Sequence, residues 1–290
     1  MSQTTAGATA VSMSPIQELV HALKDRRAIL FAGAGVSINA GLPPWRELIA
    51  RMGREFGFDE GLRYGLGVDY PVLAEYYRLR QGSIGPLRSW MDRNWCVSEQ
   101  RIRESKVHEL IVQLDFPIIY TTNYDRNLEV AYALYDRDFI KVINARDMAK
   151  TVEGVTQIIK FHGDFDDDQS LVITESDYFR RLSFDSPLDI KFRSDAFGKT
   201  ILFIGYSMHD MNIRLLLHRL WQTWRQSGYE VDRPQSFVFM IERNPVEEAV
   251  LNQWGIRVLS EEAETPDRAL VSFLTKLREG LEEARAGQFP

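Results

Sequence analysis

Residues Ala28-Ile29-Leu30-Phe31-Ala32-Gly33-Ala34-Gly35-Val36-Ser37 decide how this chain folds. The first five are uniformly apolar and too few for a helix, so they predict a strand buried on both faces. The run breaks at Gly33-Ala34-Gly35, a strand-to-loop junction of the nucleotide-binding kind. Two glycines there let backbone N–H groups approach a phosphate, and Ser37 adds a hydroxyl donor. The same stretch equally makes a plain tight turn between strand and helix. Position 38 is isoleucine, so the G-x-G-x-x-G pattern lacks its third glycine, and no G-x-x-x-x-G-K-[ST] sequence occurs.

Working outward, Pro15 followed by Ile16, Leu19, Val20 and Leu23 has helical spacing and predicts an opening helix to about Arg26. Between Trp45 and Leu114 the apolar spacing is mostly helical, which reads as a helical module, residues 45–114, inserted after the first strand. Strand-like runs return at Pro117 to Thr121, Thr156 to Phe161, Leu171 to Thr174, Thr200 to Gly205, Ser236 to Ile241 and Ile256 to Leu259. Helices are expected at Arg126 to Leu134, Pro187 to Phe197, Asp210 to Trp224, Pro245 to Trp254 and Asp267 to Ala284. Strands alternating with helices build an α/β, Rossmann-like, mainly parallel sheet with helices on both faces. The expected organisation is a mobile tail, residues 1–14, followed by one domain over 15–290.

The 290 residues are 44% hydrophobic and 26% charged, the composition of a folded, water-soluble chain. Lys+Arg 35 against Asp+Glu 41 gives a net charge of −6, so no global positive field draws it to nucleic acid or an anionic membrane. Without a signal-like start or an apolar window near ~18 residues, a cytoplasmic location is expected. The single cysteine, Cys96, excludes intrachain disulfides, Cys-based zinc ribbons and Cys-ligated iron-sulfur clusters. His21, His108, His209 and His218 stand in helical or cap contexts without H-E-x-x-H spacing, so no metal centre is expected.

Strand ends carry the remaining chemistry, because open α/β sheets bind ligands at the carboxyl edge. Thr121-Thr122-Asn123-Tyr124-Asp125 puts an amide, a carboxylate and hydroxyls at one such end; Asp125 also suits capping of the following helix, which does not require Asn123. In Lys160-Phe161-His162-Gly163-Asp164 a histidine sits at another strand tip, as a proton acceptor near neutral pH or as a hydrogen-bonded structural residue. Gly205-Tyr206-Ser207-Met208-His209-Asp210 breaks a third strand, and its Ser207 and Asp210 serve a ligand or simply cap a helix. Glu242 follows a late strand, where an acidic residue holds ribose hydroxyls in dinucleotide folds.

In this order the segments resemble the sirtuin family, and within it the bacterial SIR2-like domains of antiphage NADases more than the protein deacylases. Gly33-Ala34-Gly35-Val36-Ser37 with Gly41-Leu42-Pro43 is similar to the sirtuin GAG-x-S turn and following G-[IL]-P. Thr121-Thr122-Asn123-Tyr124-Asp125 looks like the family's T-Q-N-I-D segment, His162-Gly163 like its catalytic histidine and glycine, and Gly205-Tyr206-Ser207 like its G-x-S. The resemblance implies hydrolysis of NAD+ to nicotinamide and ADP-ribose, with Asn123 and His162 catalytic and Asp125 at the carboxamide. Gly33, Ala34, Gly35, Ser37, Thr122, Tyr124, Gly205, Ser207 and Glu242 would hold the dinucleotide, with Asn244 the alternative to Glu242 at the adenosine ribose. The chain departs from the deacylases in lacking two C-x-x-C pairs for structural zinc and in reading Pro44-Trp45-Arg46 where they have D-F-R. A non-catalytic NAD+ or ADP-ribose sensor and an NAD-dependent deacylase are the alternatives. The resemblance further implies homo-oligomers and a separate sensor protein, a HerA-type ATPase first and an Argonaute-like protein second, since no sensor domain is expected within this length. Trp45, Tyr64, Tyr70, Tyr76, Tyr77, Trp90 and Trp95 make the helical module rich in aromatics, either for such contacts or for packing onto the sheet.

Overall fold

A computed structural model describes residues 13–43, 45–56, 69–206, 208 and 210–287. The strands are β1 (Ala28–Ala32), β2 (Ile118–Thr121), β3 (Phe139–Val142), β4 (Thr156–Lys160), β5 (Thr200–Ile204), β6 (Ser236–Phe239) and β7 (Ile256–Leu259). They form one seven-stranded sheet in the order β3-β4-β2-β1-β5-β6-β7, and every pairing is parallel. All five residues of β1 are buried, as its unbroken apolar run requires of a central strand.

The helices, in chain order, are α1 (Pro15–Lys24), α2 (Ala34–Ile38), α3 (Trp45–Glu55), α4 (Tyr70–Gln81), α5 (Gly85–Asn94), α6 (Glu99–Glu104) and α7 (Lys106–Leu114). After β2 come α8 (Asn127–Leu134), α9 (Ala145–Met148), α10 (Glu175–Arg180), α11 (Pro187–Gly198), α12 (Met211–Ser227), α13 (Pro245–Gln253) and α14 (Pro266–Arg285). Among the described residues no helix is long and apolar enough to cross a membrane.

Alternation along the strands sorts side chains onto two faces. One face, with Leu30, Ile119, Ile158 and Leu202, packs under α1, α7, α8 and α14 through Leu19, Leu110, Leu128 and Leu274. The other carries an aromatic block, Phe31, Tyr120, Phe161 and Phe203, against Phe192 of α11 and Ile213 and Leu216 of α12. Phe31 stacks on Tyr120 at 6.1 Å and meets Phe192 edge-on at 5.7 Å. Such pairs add about 0.5–1.5 kcal/mol each beyond their buried area. A third cluster joins Leu48, Met52, Ala74, Tyr77, Leu87 and Met91 of α3, α4 and α5 to Tyr124, Phe165 and Ile173. Of the helices between β1 and β2, then, α7 lies on the sheet, whereas α3 to α5 gather above its carboxyl edge loops.

Two sequence expectations change. Leu171 to Thr174 is not a strand. Leu171, Val172 and Ile173 are buried, but they pass under the helical cluster as irregular chain, with Val172 N–H donating to His162 O and Thr174 capping α10. Phe139 to Val142 was not expected and forms the edge strand β3, half-exposed with Lys141 turned to Asp164 and Asp166. Residues 1–12, most of the expected tail, lie outside the described residues.

Candidate functional site

The sheet register sets the site. Ala32, the last residue of β1, stands opposite Thr121 of β2 and Ile204 of β5, and Thr121 stands opposite Lys160 of β4. The chain therefore leaves four neighbouring strands along one line, and Gly33, Thr122-Asn123, Phe161-His162 and Gly205 emerge side by side.

Gly33 and Gly35 bring the β1 and β5 turns into contact. Their N–H groups donate to Ile204 O at 2.9 Å and Gly205 O at 2.8 Å. A Cβ on Gly33 would lie 2.4 Å from Gly205 O, and one on Gly35 2.7 Å from Gly205 Cα. Gly205 has φ +59, and a Cβ there would sit 2.6 Å from Val36 N. Close backbone approach is thus what these glycines supply, and both N–H groups are spent on it. Ala34 and Ser37 lie in α2, with Ser37 buried.

Asn123 fastens the β2 loop to this junction. Its Nδ2 donates to Gly33 O at 2.9 Å and to Ser37 Oγ at 3.1 Å. Its N–H donates to Thr121 Oγ1 at 3.0 Å, and that hydroxyl in turn donates to Ala32 O. Asp125 Oδ1 accepts from Asn127 N, the first residue of α8, at 3.0 Å, although Arg126 holds the N-cap position and no side chain caps the helix. Asp125 Oδ2 is buried without a hydrogen-bond partner among the described residues. Thr122 is half-buried between them. Tyr124 is packed between Trp95 and Phe165, and its hydroxyl donates to Val172 O. Ala34, Ile38, Leu42, Trp95 and Asn123 to Asp125 wall a cleft over this edge.

His162 is buried and is not among the residues that line the cleft. Its ring lies 6.2 Å from Phe161 and meets Tyr178 edge-on at 5.4 Å, while Nε2 is 3.5 Å from Asp210 Oδ2. Burial pushes its pKa down to about 4, against the pull of the Asp210 carboxylate. Gly163 has φ +91, and a Cβ there would meet Ser170 O at 2.4 Å, so the turn after the histidine admits little but glycine.

Beneath these loops lies a charged group that the sequence reading did not single out. Lys160 is 1% exposed; its Nζ donates to Asp125 O and lies 3.4 Å from Glu129 Oε1 and 3.7 Å from Asp164 Oδ2. The ammonium therefore joins the loop of Asn123 and Asp125 to the loop of His162. A lysine inside the apolar run Ile158-Ile159-Lys160-Phe161 was the available signal, since a buried cation requires buried partners.

Glu242 sits in an exposed turn beyond β6. Asn244 Oδ1 accepts from Val246 N and Glu247 N, capping α13. Ser207 lies outside the described residues.

Residues 117–259 match the family model of the SIR2-like domain. The chain is 32% identical over 207 residues to NAD(+) hydrolase ThsA of Enterococcus faecium, covering 70% of this chain and 41% of that protein. It is 27% identical over 246 residues to NAD(+) hydrolase ThsA of Bacillus cereus (strain MSX-D12), covering 82% of this chain and 49% of that protein. Similarity to Defense-associated sirtuin 2 of Bacillus subtilis is 23% over 256 residues, 84% of this chain and 24% of that protein. The chain thus spans less than half the length of these curated relatives.

Proposed function

We propose that the chain, similar to the SIR2-like domain over residues 117–259, is a SIR2-like enzyme that hydrolyses NAD+ at the nicotinamide–ribose bond, releasing nicotinamide and ADP-ribose in antiphage defence. One observation carries the reading: the segments of Gly33, Asn123, His162 and Gly205, far apart in sequence, leave adjacent strands at one carboxyl edge. That edge, where β2 and β5 run to opposite sides of β1, is the switch point at which such sheets bind dinucleotides. Relatives named as NAD(+) hydrolases support the choice of substrate.

Cleavage passes through an oxocarbenium-like ribose, so the site must hold the sugar, accept a proton from water and grip the leaving amide. Asn123, held by Gly33 O and Ser37 Oγ, faces the ribose and the attacking water. His162 accepts the proton. Asp125 Oδ2, buried on the cleft wall, accepts a carboxamide N–H. Nicotinamide departs as a neutral molecule from a cationic bond, and no step asks for a metal. The dinucleotide phosphates lie over the β1 and β5 turns, and Glu242 reaches the adenosine ribose only if its turn folds inward.

A cytoplasmic site, self-association and a separate sensor such as a HerA-type ATPase belong to the same proposal. Light scattering and co-purification test the last two; a strict monomer that captures no sensor removes them. Incubation with NAD+ and with an acetylated peptide tests the activity. Nicotinamide with ADP-ribose is expected from NAD+ alone; deacylation would overturn the assignment, and binding without turnover would make the protein a sensor.

A further inference from the structure

Asp210 caps α12, with Oδ1 accepting from Ile213 N at 3.1 Å. Capping uses one carboxylate oxygen. The other, Oδ2, is 3.5 Å from His162 Nε2, which makes no hydrogen bond among the described residues, and the two side chains are 12% and 3% exposed. A carboxylate fixed by a helix terminus and facing a buried imidazole stabilises the protonated ring through its charge, and a closure of a few tenths of an ångström would bring the pair into the hydrogen-bonded arrangement by which an acid orients a general base.

We propose that Asp210 is a positioning residue for His162: its Oδ2 faces Nε2 across 3.5 Å, favouring the tautomer with the hydrogen on Nε2 and the lone pair on Nδ1, and its charge stabilises the imidazolium formed when Nδ1 takes a proton. This rests on the NAD+ hydrolase reading. In the step concerned, water oxygen bonds to ribose C1′ as the C1′–N bond breaks. The bond pair leaves on nicotinamide nitrogen, cancelling its charge, and the water proton passes to Nδ1 and then to solvent.

The other groups around the ring do not supply this function. Arg181, over the Phe161 ring at 4.2 Å, opposes protonation of His162, and its own charge is met by Asp189. Asp189 favours protonation less than Asp210 does. Tyr178 and Tyr206 are neutral, held well above the usual phenol range by burial.

Asp210→Asn separates the two uses of the side chain, because asparagine caps a helix as well as aspartate but carries no charge. Its thermal midpoint should match the unsubstituted protein. Its kcat should fall by about 10- to 100-fold at little change in KM, since the charge acts on the transition state. Asp210→Glu should recover part of kcat, and His162→Ala/Asp210→Asn should be no slower than His162→Ala alone. Unchanged kcat in Asp210→Asn, or losses that multiply in the double variant, would overturn the proposal. NMR titration of the His162 ring, assigned with His162→Ala, gives a reading independent of turnover. The ring should protonate in the unsubstituted protein at a pH where it stays neutral in Asp210→Asn; identical titrations overturn the pairing even if no nicotinamide is ever released, a result that would instead refute the hydrolase reading.

Discussion

Replacing Lys160 by methionine tests whether the buried ammonium holds the site together. Methionine keeps most of the volume and removes the charge. Asp164 would retain Lys141 at 3.4 Å, but Glu129 would lose the cation 3.4 Å from its Oε1. Stranding one member of a buried ion pair costs about 3–5 kcal/mol. For a chain of this size that lowers the thermal midpoint by roughly 6–10 °C. The loss should depend on pH, because burial already holds the Glu129 carboxyl above its ordinary range and Lys160 is what pulls it down. Without Lys160 the folded pKa rises further above the unfolded value. A carboxyl shifted that way favours the fold below its unfolded pKa and loses the contribution as pH rises through the folded one. The deficit of Lys160→Met against the unsubstituted protein should therefore be smallest near pH 4 and grow toward neutrality, as read by urea melts across that range. Adding Glu129→Leu should restore most of the stability. A deficit below about 1 kcal/mol at neutral pH, or one that does not shrink in acid, would refute the reasoning.

Gly205→Ala should cost about 1–3 kcal/mol and most of the activity, because a Cβ at φ +59 would press on Val36 N at 2.6 Å and part the β1 and β5 turns; a neutral thermal midpoint would contradict this. His108 and His162 are both pushed down to about 4 by burial. Their folded values lie below the unfolded value near ~6.5, so stability should fall as pH drops from there to about 4 and stay level above it with respect to these groups. Denaturant melts check the slope, which His108→Gln should make shallower. Trp95 stacks on Tyr124 and walls the cleft, so Trp95→Ala should weaken NAD+ binding by roughly tenfold, as for loss of one aromatic contact; calorimetric titration with unchanged affinity would remove it from the site.

The central strands were legible because burial on both faces leaves an unbroken apolar run, as in Ala28 to Ala32 and Ile201 to Ile204. The same signal misled at Leu171 to Thr174, where equally buried residues face a helical cluster instead of a sheet. β3 escaped notice because its apolar residues Phe139, Ile140 and Val142 form a run of only four positions broken by Lys141, which serves an ion cluster. That Asn123 and His162 stand at strand ends follows from the runs before them. What each side chain touches does not, since the Asn123 contacts at Gly33 and Ser37 join residues about ninety positions apart in the chain. The two uses of Asp210 were hidden for the same reason: its capping role is local and readable, whereas His162 reaches it from another strand.

The most direct test of the hydrolase reading is to incubate purified protein with NAD+ and resolve the products by chromatography, alongside His162→Ala and Asn123→Ala. Nicotinamide and ADP-ribose should accumulate in equal amounts with the unsubstituted protein, and each variant should be slower by about 10²-fold or more while remaining folded. Near-equal turnover by all three would contradict the assignment of Asn123 and His162, and no nicotinamide from any of them would contradict the activity itself.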